Sequence, residues 1–175
     1  MTTDLYTIGH STRAFESLLA MLRAAEIMQL VDIRTLPRSR WVPQFDREAL
    51  ERELPPVGIR YRHEPRLGGL RRISGQPSAN TGWRNARFRA FADYMDTPEF
   101  LRGLEDLIES ARETRTAIMC AEAVPWRCHR SLVADAVMIR GWTAHDLLAP
   151  GRSQPHYLTP FARVDGDRIT YPAPD

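Results

Sequence analysis

The stretch TAIMCAEAVPWRCHRSLVADAVMIRGWTAHDLL, residues 116–148, decides the fold. Residues 116–122 read as a buried strand, 128–141 as a helix closed by Gly141, and 142–148 as a second strand. Strand, helix, strand in this length is a crossover between parallel strands. Between strand and helix lies CAEAVPWRCHR, which gathers both cysteines of the chain with a glutamate, a histidine and two arginines.

Working outward, the same alternation recurs. LYTIGHS (5–11) is a strand ending in a turn, after which Ser11 or Thr12 is expected to cap a helix whose apolar face is Phe15, Leu18, Leu19 and Leu22. MQLVDIR (28–34) is a second strand, 46–55 a short helix stopped by Pro55 and Pro56, and IRYRHEP (59–65) a third, more polar strand. The segment 66–83 is a long Gly-, Ser- and Arg-rich loop, and 84–95 is helical in spacing. Thr97-Pro98 supplies an N-cap and a proline at the first helical position for the helix that follows. Near the end, Asp165-Gly166 sits between two β-prone runs and predicts a hairpin.

These elements predict a single three-layer α/β/α domain over residues 1–175, with a mostly parallel sheet of about five strands. Residues 1–150 form its core, and 151–175 a tail with the C-terminal β-hairpin. Both 3-2-1-4-5 and 2-1-3-4-5 strand orders suit the alternation. Ligands in such sheets bind beyond the C-terminal strand ends, where strand order reverses. That rule selects His10, Ser11, Asp32, Arg34, Cys120, Glu122, Cys128, His129 and Arg130, all expected to face one edge.

The chain has 175 residues, 43% hydrophobic and 26% charged, a globular composition with no stretch long and apolar enough for a membrane span. No secretory leader is visible, so a cytoplasmic setting without structural disulfides is expected. Net charge is +2, but all 24 basic residues are arginine. GC-rich codon usage accounts for that bias; so does recognition of phosphate or carboxylate, which suits the planar guanidinium better than an ammonium.

Several chemistries fit the strand-end residues. Cys128, near a helix start and between Arg127 and Arg130, is a candidate thiolate nucleophile, while Cys120 reads as an inert core thiol. Asp32, Glu122, His10 and His129, with Ser11 among them, offer proton transfer, with Arg34 and Arg130 holding an anionic substrate. A Cys/His metal site lacks the paired spacing of structural zinc, so no metal ligand is assigned and the cofactor stays open. In RLGGLRR, Arg66, Arg71 and Arg72 flank two glycines through which backbone N–H groups can approach an oxyanion. Arg84, Arg87 and Arg89 are interleaved with Trp83, Phe88 and Phe91, a pattern compatible with nucleic acid but equally with a core face. There is no phosphate-binding G-x-x-x-x-G-K-[ST] and no G-x-G-x-x-G after the first strand.

The segments YTIGHS, LVDIRTLPRSR, RLGGLRR, FADYM, MCAEAVPWRCHRSLVADAV and LTPFARVDGDRITYP resemble the bacterial and archaeal family called domain of unknown function 488, from about Thr7 through Tyr171. The resemblance implies a small cytoplasmic α/β domain and marks His10, Ser11, Asp32, Arg34, Glu122, Cys128, His129 and Arg130, without bringing a reaction. A weaker likeness of topology is to rhodanese sulfurtransferases, although CAEAVPWRCHR lacks the glycines of an anion cradle. The expected function is an enzyme acting on an anionic, phosphate-bearing substrate, a nucleotide or nucleic acid. The alternatives are a non-catalytic nucleic-acid-binding or regulatory module, and a Cys-dependent sulfurtransferase-like or Cys/His metal-binding protein. The oligomeric state is left open.

Overall fold

Six strands make the central sheet of the computed structural model, which describes residues 3–175. The chain runs β1 (Asp4–Gly9), α1 (Phe15–Ala24), β2 (Gln29–Asp32), α2 (Arg47–Glu53), β3 (Arg60–His63), α3 (Ala86–Tyr94), α4 (Pro98–Glu113), β4 (Thr116–Cys120), α5 (Arg130–Met138), β5 (Thr143–Ala149) and β6 (Arg152–Pro155). A separate hairpin, β7 (Arg163–Asp165) with β8 (Arg168–Thr170), turns at Gly166, whose φ of 61° suits glycine. Thr97 caps α4 as expected, its side chain accepting from the Phe100 amide. Neither Ser11 nor Thr12 caps α1: the helix starts later, after Ala14, and Ser11 instead occupies a tight left-handed turn at φ 49°.

The sheet order is β3-β2-β4-β1-β5-β6, neither of the two orders that suit the alternation. Strand β4 inserts between β2 and β1 and pairs in parallel with each. The insertion is a long-range choice that no local periodicity encodes. The sixth strand, absent from the sequence reading, is antiparallel to β5. Its sequence RSQP has little strand propensity, and Pro155 is tolerated because β6 lies at the sheet edge. Crossovers from β1 and β4 leave in opposite directions, so the switch point lies just beyond Gly9 and Cys120. There the pairing continues, with the His10 and Ser11 amides donating to the Cys120 and Ala121 carbonyls.

Two apolar cores flank the sheet. One packs Leu18, Leu22, Phe45, Leu50 and Leu54 from the α1/α2 side against Ile8, Leu30 and Met119. The other packs Phe91, Phe100, Leu104 and Leu107 from α3 and α4, with Leu132 and Val133 from α5, against Leu5, Val31 and Ile118. Ile169 and Tyr171 of the tail belong to this second core. Because strand side chains alternate faces, Thr7 and Cys120 fall on the α5 side, whereas Asp32 falls on the α1/α2 side. Among the described residues no helix is long and apolar enough to cross a membrane.

Candidate active site

The loop from β4 to α5 packs against the end of β1, and Gly9 makes that packing possible. A Cβ there would stand 1.8 Å from the Glu122 carbonyl oxygen. The loop turns through a short 3-10 segment, Pro125–Arg127, and delivers Cys128 back beside Cys120. The structure brings the two sulfurs into contact, with their Cα atoms 7.4 Å apart, so that a small movement of the backbone would let a disulfide form. Cys120 is buried, as expected of a core thiol, and its sulfur also faces Cys128 and Arg130. Eight residues separate them in sequence, and the pairing follows from the loop's return across the strand end.

Arg130 organises this cluster. Fully buried, it donates from Nη1 to the Cys120 sulfur at 2.8 Å and to the Glu122 carbonyl, from Nη2 to the Ala123 carbonyl at 3.1 Å, and from Nε to Thr7 Oγ1 at 3.2 Å. Its own amide points at the Cys128 sulfur, 3.5 Å away. Among the described residues no carboxylate hydrogen-bonds the guanidinium. Burial pulls it down to about 10, against the opposing influence of Asp146 and Glu122.

His129 follows Cys128 and is held neutral. Burial lowers it to about 4. Its Nε2 lies 3.0 Å from the Ile33 carbonyl, which can only accept, so Nε2 carries the proton and the Nδ1 lone pair faces the Cys128 sulfur at 3.5 Å. The Gly68-Gly69 pair serves this packing: a Cβ on Gly69 would stand 2.6 Å from the imidazole, and one on Gly68 2.4 Å from Thr35 Oγ1.

The remaining candidates lie on the opposite face. Asp32, fully buried, accepts from Arg34 Nε at 2.9 Å and Nη2 at 2.7 Å and from the Tyr61 hydroxyl at 2.6 Å. Arg34 also donates to the Phe45 carbonyl and to His10 Nε2. His10 Nδ1 faces the Ser11 carbonyl, and burial holds its ring below the usual histidine range. Every polar atom of the His10, Asp32 and Arg34 side chains but one guanidinium hydrogen-bond direction is committed inside the protein. The nine strand-end residues thus share one edge, Cys120, Cys128, His129 and Arg130 clustering on one side of it and His10, Asp32 and Arg34 on the other, with Arg34 and Glu122 lining clefts on both.

Of the arginines flanking the glycines, Arg66 is bound by Glu64 and Asp106, and Arg71 donates to the Gly68 and Pro65 carbonyls while lying 3.6 Å over the Tyr94 ring. Arg72 is exposed. Trp83 stacks on Phe88 and packs edge-on against Phe161, so this aromatic group is core. Arg89 donates to the Trp83 carbonyl.

A cleft of about 340 Å³ opens over the cysteine pair, lined by Cys120, Cys128, His129 and Glu122 on one side and by Arg87 and Arg127 among others. Both arginines are exposed. Glu122 is exposed too, its carboxylate accepting from the Val124 amide. Among the described residues no group of three or more His, Cys, Asp or Glu is arranged to hold a metal ion.

A buried polar chain behind Arg130 was not legible in the sequence. Thr7 donates to Asp146 at 2.6 Å; His156 lies 3.5 Å from Asp146 and 2.8 Å from Asp135; Asp135 also accepts from the Thr159 and Tyr171 hydroxyls. Burial alone would lower His156, but its bonds to Asp135 and Asp146 prevail and raise it to about 9. The local sign was Thr7, a buried polar residue between Tyr6 and Ile8 in β1.

An α/β protein with a paired-cysteine cleft at the switch point of its sheet is the class that fold and site define. The chain belongs to the family described as domain of unknown function DUF488, whose model matches residues 14–137. No curated protein and no solved structure matches it, and the likeness to rhodaneses finds no support in these comparisons.

Proposed function

We propose that this protein is a cytoplasmic enzyme whose reactive centre is the Cys120/Cys128 pair and whose substrate is an anionic, phosphate-bearing molecule held in the adjoining cleft. The observation that carries this reading is the buried Arg130 guanidinium donating to the Cys120 sulfur. A charge-assisted hydrogen bond favours the thiolate over the thiol, so reduction of the pair leaves Cys120 as the nucleophile. Cys120 then attacks an electrophilic oxygen or sulfur atom of a reducible group on the substrate, such as a peroxide, S-oxide or disulfide, which is the oxidant of the cycle, and the leaving group departs with the bonding pair. Cys128, in contact, attacks the Cys120 sulfur of that adduct. The disulfide closes, and the transferred atom leaves with the proton that Cys128 gives up. His129 Nδ1 stands where that proton passes. An external thiol restores the pair. Arg87 and Arg127 are the cleft's exposed cations and receive the substrate's phosphate.

The test is protection of the reduced protein. Nucleoside monophosphates should slow iodoacetamide labelling of Cys120, and the protection should be lost in Arg87→Ala/Arg127→Ala. Slow labelling of both cysteines, indifferent to every anion tried, contradicts the proposal.

A further inference from the structure

A second cleft, of about 410 Å³, lies beside the first and shares with it a wall made of Arg34, Leu36, Ala121 and Glu122. Each is near the lower end of the ~300–1,000 Å³ usual for a small-molecule site, and the exposed Ala121-Glu122 ridge runs between them. The cysteine chemistry uses only the first. At the far side of the second stands Trp41, 83% exposed, with the Arg40 guanidinium 5.7 Å from its ring. Beside the first, the 3-10 turn carries Trp126, 66% exposed. Among the described residues lining the two clefts Glu122 is the one acidic side chain, against Arg34, Arg38, Arg87 and Arg127.

We infer that the two clefts together bind one strand of single-stranded nucleic acid, which crosses the ridge with a nucleotide in each. This goes beyond the proposed function: it assigns a binding surface beside the cysteine pair and does not make the strand the group that Cys120 reduces. Trp41 in the second cleft and Trp126, next in sequence to Arg127 of the first, are exposed stacking faces for unpaired bases, and the exposed arginines of the clefts meet the phosphates. In a duplex the bases are stacked on one another and cannot enter concave sites of this size. An acidic protein surface would find the cations but leave the tryptophans without planar partners.

The experiment is fluorescence anisotropy of a labelled single-stranded oligonucleotide with the full chain, with competition by the same sequence as duplex, by a mononucleotide and by polyglutamate. The single strand should bind at least tenfold more tightly than any of the three, and its affinity should fall steeply with salt. Trp41→Ala and Trp126→Ala should each weaken it by roughly fivefold or more, with Cys120 alkylation unchanged. Equal affinity for mononucleotide and strand, polyglutamate binding as well as the strand, or tryptophan variants that bind normally would each overturn the inference. Cys120→Ser should bind the strand normally, which separates the two readings. If nucleotides protect Cys120 while the strand binds no better, the strand inference falls and the enzyme stands. If the strand binds tightly to a protein whose cysteines are unreactive, the enzyme falls and the surface stands.

Discussion

Arg34 and Arg130 are both buried beneath the same sheet edge, 7% and 0% exposed, and the protein treats them differently. Arg34 meets a carboxylate, Asp32, through two side-chain bonds, with Tyr61 bracing the far oxygen. Arg130 meets a sulfur, a hydroxyl and two carbonyls, and reaches Asp146 only through Thr7. A bidentate pair is a finished structure. A buried cation whose close partners are neutral is poised to stabilise an anion that forms next to it, and Cys120 is the neighbour able to become one. On the proposed function the Asp32–Arg34 pair is scaffold, and the α5 face would carry the chemistry.

The largest expected effect breaks the scaffold. Arg34→Met strands the buried Asp32 charge and should cost ~3–5 kcal/mol, read as a shift of the urea midpoint. Arg130→Met strands no bonded carboxylate and should cost only ~1–3 kcal/mol of lost hydrogen bonding, while slowing Cys120 alkylation. An Arg130 variant that is the less stable of the two would reverse the comparison.

Next in size is pH dependence. His156, raised to about 9, binds its proton more tightly in the folded chain. Its contribution, up to ~3 kcal/mol at 1.36 kcal/mol per unit, is complete below roughly pH 6.5 and is lost as pH rises through about 9. His129, lowered to about 4, acts oppositely: the unfolded chain takes up the proton first, so stability falls as pH drops from roughly 6.5 towards 4. Urea unfolding across pH should therefore show a maximum near pH 6.5. In His156→Asn the loss on the alkaline side should disappear and the acid side should persist.

Smaller again is Gly69→Ala. Its Cβ would meet the His129 ring at 2.6 Å, so the ring or the loop must shift, at ~1–3 kcal/mol for overpacking. The imidazole would then lose its placement on Cys128, and the closing step of the disulfide should slow more than the first attack at Cys120.

Much of the scaffold was legible. The Thr97-Pro98 start of α4, the Asp165-Gly166 turn and the strand ends where the candidate residues sit all follow from local chemistry. What did not follow was tertiary. Strand β4 slots between β1 and β2 through pairings about 90 or more residues apart, which periodicity does not encode. The division of the site between two faces was within reach, because His10 lies two residues after Ile8, whereas Cys120 lies two after Ile118 in the other core. The roles of Arg66 and Arg71 were not, since an arginine cluster looks the same whether it awaits a phosphate or is bonded to Glu64, Asp106 and backbone carbonyls.

The most direct measurement is a titration of thiolate absorbance in two reduced single-cysteine proteins, Cys128→Ser and Cys120→Ser, each with and without Arg130→Met. Cys120 should form its thiolate at lower pH than Cys128, and Arg130→Met should abolish that advantage. Cys128 ionising first, or a Cys120 indifferent to Arg130, would contradict the assignment of Arg130 as the group that activates the site.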